Sequence, residues 1–395
     1  MLDRKAAEAG VWLGAGDCDV AEFAAHVERD TKADDYPNAA EVVKNIPVYD
    51  GTVLSRGFAD EGRARVVMAE FNHAFSSGPG IIAIRGGHAD TGLLDGVTEV
   101  LSAIIAEEEA ARPGKGDHFA AAGANSRLWN AHEKLGVRDP ALFARYNANE
   151  TVRRVAEAWL GPCYQITTQV NVVRPGGKAQ TPHRDYHMGF QTEEVLRDYP
   201  ASQHALSALL TLQGAVAHSD MPLESGPTKL LPYSQSYLPG YIAIHRPDFR
   251  AYFEANHVQL PLEKGDMVFF NPATFHAAGE NRTADVQRFA NLMQIGSAYG
   301  RSIEIVDRSR LSKAVYPHLK ALAEGGALTG READTVVAAT AEGYPFPANL
   351  DLDAPVGGMA PPSQQDIMRR ALAESWDEDR LNAEIDAQDG RKRSH

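Results

Sequence analysis

Thr181-Pro182-His183-Arg184-Asp185 and, far downstream, Phe275-His276 bring two imidazoles and one carboxylate into a pattern that could hold a metal ion. On an extended segment, residues i and i+2 project to the same side, so His183 and Asp185 can grip one ion together. His276, delivered from a distant strand, would complete one face of an octahedron and leave three positions open. That donor set is the 2-His-1-carboxylate facial triad of non-haem Fe(II) oxygenases. The open positions would take a bidentate cosubstrate and then dioxygen.

Rivals and helpers surround this set. His218-Ser219-Asp220 is a second His-x-Asp, but Met221-Pro222-Leu223 after it marks a loop rather than a rigid strand end. Arg288 heads the apolar run Phe289–Gly296, where burying a guanidinium is costly without an anion. Its planar fork matches a carboxylate such as the distal one of 2-oxoglutarate. Arg282 competes for that role from an Asn281-Arg282-Thr283 turn, and a surface ion pair is the plain alternative for Arg288. Gln169 and Asn171 share one face of a strand and could orient cosubstrate or substrate, or simply pack. His187 could touch substrate or be structural. His118, Asn125, Arg127, Trp129 and Asn130 make a polar-aromatic patch that could line an entrance, with core packing the alternative for Trp129.

The elements that must position these residues fall into two halves. Residues 17–45 and 57–76 show helical spacing, then Gly78-Pro79-Gly80 leads into the short strand Ile81–Arg85. Leu93–Ala111 and Pro140–Leu160 read as helices, the second opened by an Asp139 cap with Pro at the first position. From Tyr164 the pattern is β-branched and alternating. Strands are expected at 164–173, 205–212, 258–262, 266–271 and 288–296, with Gly/Pro turns between them. After about residue 320 order weakens into a Pro/Gly-rich arm and a polar helix over Gln364–Asp386. Helices followed by many short strands imply a mainly β, α+β protein with a β-barrel or sandwich and helices outside.

Composition narrows the partners. Lys and Arg number 39 against 53 Asp and Glu, for a net charge of −14, which argues against nucleic acid or an anionic membrane surface. Cys18 and Cys163 are too few for a disulfide framework or a thiolate zinc site. Residues 1–16 lack a secretory h-region and no apolar run would span a bilayer, so a cytoplasmic protein is expected.

Four pieces in order resemble the phytanoyl-CoA dioxygenase family of Fe(II)/2-oxoglutarate oxygenases. They are Thr181–Asp185, Glu224–Gln235, Gly265–Phe270, and His276 followed by Arg288; Gly80–Gly86 looks like the family's opening strand. The chain departs at Ser225-Gly226 and Ala278, where members often carry Asn-Gly and Ser. The resemblance implies a double-stranded β-helix of jelly-roll or cupin type, Fe(II) on His183, Asp185 and His276, and 2-oxoglutarate on Arg288. It further implies oxidation of a small molecule by O2, with succinate and CO2 released. Related halogenases replace the triad carboxylate by a small residue; Asp185 is present, so a hydroxylation outcome is favoured. The organisation expected is an N-terminal helical extension at 1–56, the oxygenase domain at 57–320, and a C-terminal arm and helix at 321–395 that could join a second copy. A cupin-like metal enzyme without 2-oxoglutarate and a non-oxidising ligand-binding barrel are the alternatives.

Overall fold

The computed structural model describes residues 10–111, 125–355, 357 and 359–393. By contact density the chain divides into two compact units. The first comprises residues 1–89, 112–127 and 170–293, and the second 90–111, 128–169 and 294–395. His118 lies outside the described residues.

The architecture is mixed α+β, built on a large sheet that is mostly antiparallel where its pairings are resolved. Its strands are β1 (Glu41–Val43), β2 (Ile46–Asp50), β3 (Ile81–Arg85), β4 (Asn125–Leu128), β5 (Gln165–Val173), β6 (Thr211–Ala217), β8 (Met267–Phe270) and β10 (Arg288–Gly296). They are ordered β1-β2-β3-β8-β6-β10-β5-β4. A small second sheet pairs β7 (Lys229–Leu230) with β9 (His276–Ala277). β3 and β6 flank β8 antiparallel, with Ile81 and Gln213 both opposite Phe270. Apolar alternation makes this sheet: Ile46, Val48, Ile81, Ala83, Val268 and Phe270 bury one face together. A second core is aromatic, with the Phe23 ring about 5 Å from those of Tyr237 (5.0 Å), Phe249 (5.1 Å) and Phe275 (5.0 Å).

The second unit is largely helical. Helix Arg308–Glu324 packs on helices Pro140–Asn147, Gly330–Thr340 and Glu378–Lys392, and buries Leu311, Val315, Tyr316 and Leu319. Gly136 is required at its contact with that helix, since a Cβ there would lie 2.3 Å from Leu311 Cδ1. No helix among the described residues is long and apolar enough to cross a membrane.

Several elements differ from the sequence reading. The helix expected across 17–45 is confined to Val20–Val27, and 41–50 form the β1–β2 hairpin instead. Lys44 and Asn45 both adopt positive φ (51° and 70°), a two-residue turn whose twist matches the strands it joins. The 205–212 strand is replaced by helix Ala201–Leu209, made of good helix formers, with β6 starting only at Thr211. Residues 258–262 contribute two isolated bridges rather than a strand. The helix over 140–160 is two, because Asn149 caps a new start at Glu150. Beyond 320 the chain is mainly helical, with capping boxes at Thr329/Glu332 and Ser363/Asp366. The polar helix of 364–386 is broken at residues 374–377.

Candidate metal centre

His183 and His276 are direct cross-strand neighbours. Each donates its backbone N–H to the other's carbonyl, at 3.0 and 3.1 Å, and Asp185 N–H continues the ladder to Pro272 O at 3.0 Å. Alternation then sorts the side chains. His183 and Asp185 face the site while Arg184, between them, turns into the aromatic core. There its guanidinium lies over the rings of Tyr241 (4.9 Å) and Phe275 (5.1 Å) and donates to the carbonyls of Ser234 and Tyr237. Gly240 makes room, since a Cβ there would fall 2.0 Å from Arg184 Cζ. Phe275 does for His276 what Arg184 does for the first pair: its ring anchors in the same core and leaves the next side chain facing the site.

The ring tautomers follow from their partners. His183 Nδ1 lies 2.8 Å from Thr181 O, and His276 Nδ1 lies 2.8 Å from Thr274 O. A carbonyl can only accept, so each Nδ1 carries a proton, and in the neutral ring the lone pair is then on Nε2. That is the form a metal-binding imidazole takes, with its orientation set by the group behind it. Both Nε2 atoms turn toward Asp185, His276 at 3.4 Å from Oδ2 and His183 at 3.8 Å from Oδ1. All three donor atoms lie within 4.8 Å of one another, and this is the grouping of His, Cys, Asp and Glu able to hold a metal among the described residues. Two neutral nitrogens and one carboxylate oxygen suit a divalent transition ion.

Electrostatics agree with that geometry. Burial and the neighbouring His276 hold His183 below its usual range, so the ring is neutral and ready to ligate. Burial alone would raise the Asp185 carboxyl, but the charge of the adjacent imidazoles when protonated and the Gln213 amide outweigh it and hold it well below the usual carboxylate range. Gln213 Nε2 donates to Asp185 Oδ2 at 2.5 Å. The side chains of His183, Asp185 and His276 are 34%, 19% and 7% exposed, so access lies on the His183 side.

Arg288 is 5% exposed, and its Nη1 donates to Ser225 O at 3.0 Å. No carboxylate among the described residues faces it, and burial alone pushes its pKa down to about 10. Its loop is tied to the metal-ligand strand: Gly226 (φ 71°) packs so closely on Gly279 and Glu280 that a Cβ would lie 2.4 Å from Glu280 O. Arg282 is exposed.

The remaining candidates scatter. Asn171 is buried on β5, with Oδ1 lacking a hydrogen-bond partner among the described residues, and Gln169 is buried two residues earlier on the same strand. Arg127, half-buried on β4, is close enough to depress His183 further. Trp129 follows β4, half-buried, in the second unit. His187 opens the short helical turn His187–Phe190, with Nδ1 3.5 Å from Ser207 Oγ. The decoy pair is structural: the His218 ring packs on Phe289, and Asp220 accepts from Lys264 N–H.

A family model for phytanoyl-CoA dioxygenase matches residues 77–290, more than half the chain and all of the triad. The chain belongs to the phytanoyl-CoA dioxygenase family. A curated relative, dioxygenase cdmD of Talaromyces verruculosus, is 32% identical over 116 residues, which is 29% of this chain. The chain spans only 34% of that relative's length. Among solved structures, the 2-oxoglutarate-dependent carbocyclase SnoK from nogalamycin biosynthesis is 19% identical, with 63% of this chain and 92% of that one covered at a TM-score of 0.45. The epimerase SnoN from the same biosynthesis is 21% identical, covering 60% and 84% at 0.39. HygX from Streptomyces hygroscopicus, solved with nickel and 2-oxoglutarate, is 14% identical, covering 58% and 87% at 0.38.

Proposed function

We propose that this member of the phytanoyl-CoA dioxygenase family is a non-haem Fe(II)- and 2-oxoglutarate-dependent dioxygenase that hydroxylates a C–H bond of a small molecule. Family membership and the converging triad support the reading, and one observation carries it. Both imidazoles are locked by their own chain with Nε2 turned to one carboxylate, and Arg288 at the head of β10 is a buried cation that no carboxylate among the described residues faces. The barrel is read as a double-stranded β-helix, supported by the β7–β9 sheet and the His183–His276 bridge that carry the distal histidine.

When bound, Fe(II) would supply the activation of dioxygen, with 2-oxoglutarate as the reductant that leaves as succinate and CO2. His183, Asp185 and His276 would hold it from one face. The Thr181 and Thr274 carbonyls keep the Nδ1 protons in place, so neither ring can turn away. Arg288 would take the distal carboxylate of 2-oxoglutarate. Its Nη1 is committed to Ser225 O, which leaves the Nε–Nη2 edge for a bidentate pair. Asn171 Oδ1 could accept a hydrogen bond from a substrate donor. Arg127 and His187 are the candidates for substrate contact.

Anaerobic titration of the apo-protein with Fe(II) and 2-oxoglutarate tests this directly. The expected result is a weak visible charge-transfer band that is lost in His276→Ala. Bound iron without such a band would instead favour the cupin-like or ligand-binding alternative.

A further inference from the structure

We propose that Gln213 is a positioning residue for the metal centre: its amide captures Asp185 Oδ2 and restricts the carboxylate to ligation through a single oxygen. The inference rests on the metal-site reading above and adds a residue to it.

The backbone of Asp185 is already fixed. Its N–H is bonded to Pro272 O, its carbonyl receives the Tyr241 hydroxyl at 3.4 Å, and Arg184 before it is clamped in the core. Tyr186 after it holds φ 64° and ψ 163°, a region nearly restricted to glycine, so the chain there is over-determined by its surroundings. What these contacts leave undetermined is rotation of the carboxylate about its side-chain bonds. Gln213 closes that freedom with the 2.5 Å bond to Oδ2, leaving the lone pairs of Oδ1 for a metal.

Gln213 is itself a rigid platform. It is 4% exposed and lies in β6 opposite Phe270, whose ring packs on His276 at 4.9 Å. The next residue, Gly214, lets β6 sit tight, since a Cβ there would meet Phe269 Cδ1 at 2.7 Å. The paired strands β6 and β8 thus touch the carboxylate through the Gln213 amide and back the distal imidazole through Phe270. Single-oxygen ligation preserves the three open positions that a bidentate cosubstrate and dioxygen require; a carboxylate spanning two positions would remove one.

The test is Mn(II) affinity by calorimetry, with the visible spectrum of the Co(II)-loaded protein as a second readout, on wild type, Gln213→Met and Gln213→Asn. Met keeps the shape without the donor, and Asn keeps the amide but falls short of Oδ2. Both variants should bind Mn(II) about 10- to 100-fold more weakly, with an altered Co(II) spectrum, while the metal-free protein still unfolds cooperatively at a modestly lower melting temperature. Wild-type affinity and spectrum in a folded Met variant would overturn the proposal. Loss of the fold in both variants would also overturn it, by assigning Gln213 to the sheet alone. If His276→Ala bound Mn(II) as well as wild type, the metal-site reading would fail instead.

Discussion

Arg288→Met should make the ligand-free protein more stable while removing its response to 2-oxoglutarate. Burial alone lowers the Arg288 pKa from 12.5 to about 10. The unfolded chain therefore binds this proton more tightly than the folded one, and the fold is penalised at every pH below about 10, neutral pH included. That difference corresponds to about 3 kcal/mol. Losing the hydrogen bond to Ser225 O costs about 2 kcal/mol in return, so the net gain is about 1 kcal/mol. In a unit of this size that raises the melting temperature by roughly 2–4 °C. The wild type, given metal and 2-oxoglutarate at a hundred times its Kd, should gain about 2.7 kcal/mol, and the variant should gain almost none. Differential scanning calorimetry with and without the cosubstrate reads both effects. A ligand-free variant that melts several degrees below wild type would refute the reasoning, because it would mean that the charge is compensated within the fold.

Three further outcomes follow from named contacts. Gly226→Ala must place a Cβ against Glu280 O in a left-handed backbone, displacing the Ser225 carbonyl that holds Arg288; the apparent KM for 2-oxoglutarate should rise about tenfold, from roughly 1.4 kcal/mol of lost orientation, while Mn(II) affinity stays within twofold. Phe275→Ala should cost about 3–5 kcal/mol in urea unfolding, since it empties the aromatic core that anchors His276; a loss under 1 kcal/mol would contradict that anchoring. In the second unit, burial and the Arg308 guanidinium push His132 down to about 3. Because the folded pKa lies below the unfolded one, stability falls as pH drops from 6.5 toward 3, by about 3 kcal/mol at pH 4.5. His132→Gln should flatten that acid limb, and parallel wild-type and variant curves would exclude the assignment.

The candidate site of this chain stood out in the sequence more sharply than its elements did. His183, Asp185, His276 and Arg288 could be picked out because each stands in a short local context that constrains it: a strand exit, a turn-fed strand, the head of an apolar run. Gln213 gave no such signal. It lies 28 residues from Asp185 and meets it only because β6 sits beside the ligand-bearing segment, which no local pattern reveals. Arg184 shows the opposite difficulty, since strand alternation turns it away from the candidate site but nothing local said that it would be clamped by carbonyls of residues 234–237. One signal was present and unused: a threonine stands two residues before each triad histidine, and each threonine's carbonyl sets the ring tautomer. The β1–β2 hairpin was hidden because Lys44-Asn45 is a less common turn pair than Asn-Gly. Helix Ala201–Leu209 was mistaken for strand because a short apolar run does not distinguish the two periods.

The mutual backbone bridge between His183 and His276 has a mechanical consequence. The two imidazoles form a stiff jaw, riveted by paired hydrogen bonds and by a carbonyl behind each ring. Asp185 is the opposing jaw, held at its tip by the Gln213 amide. An ion of different radius or preferred geometry would strain either that ladder or the Gln213–Asp185 bond, and the single amide has fewer supports than the paired ladder. Were iron the ion held there, its discrimination from a tetrahedral competitor such as zinc would depend on how firmly Gln213 holds Asp185 across the gap that the histidines define.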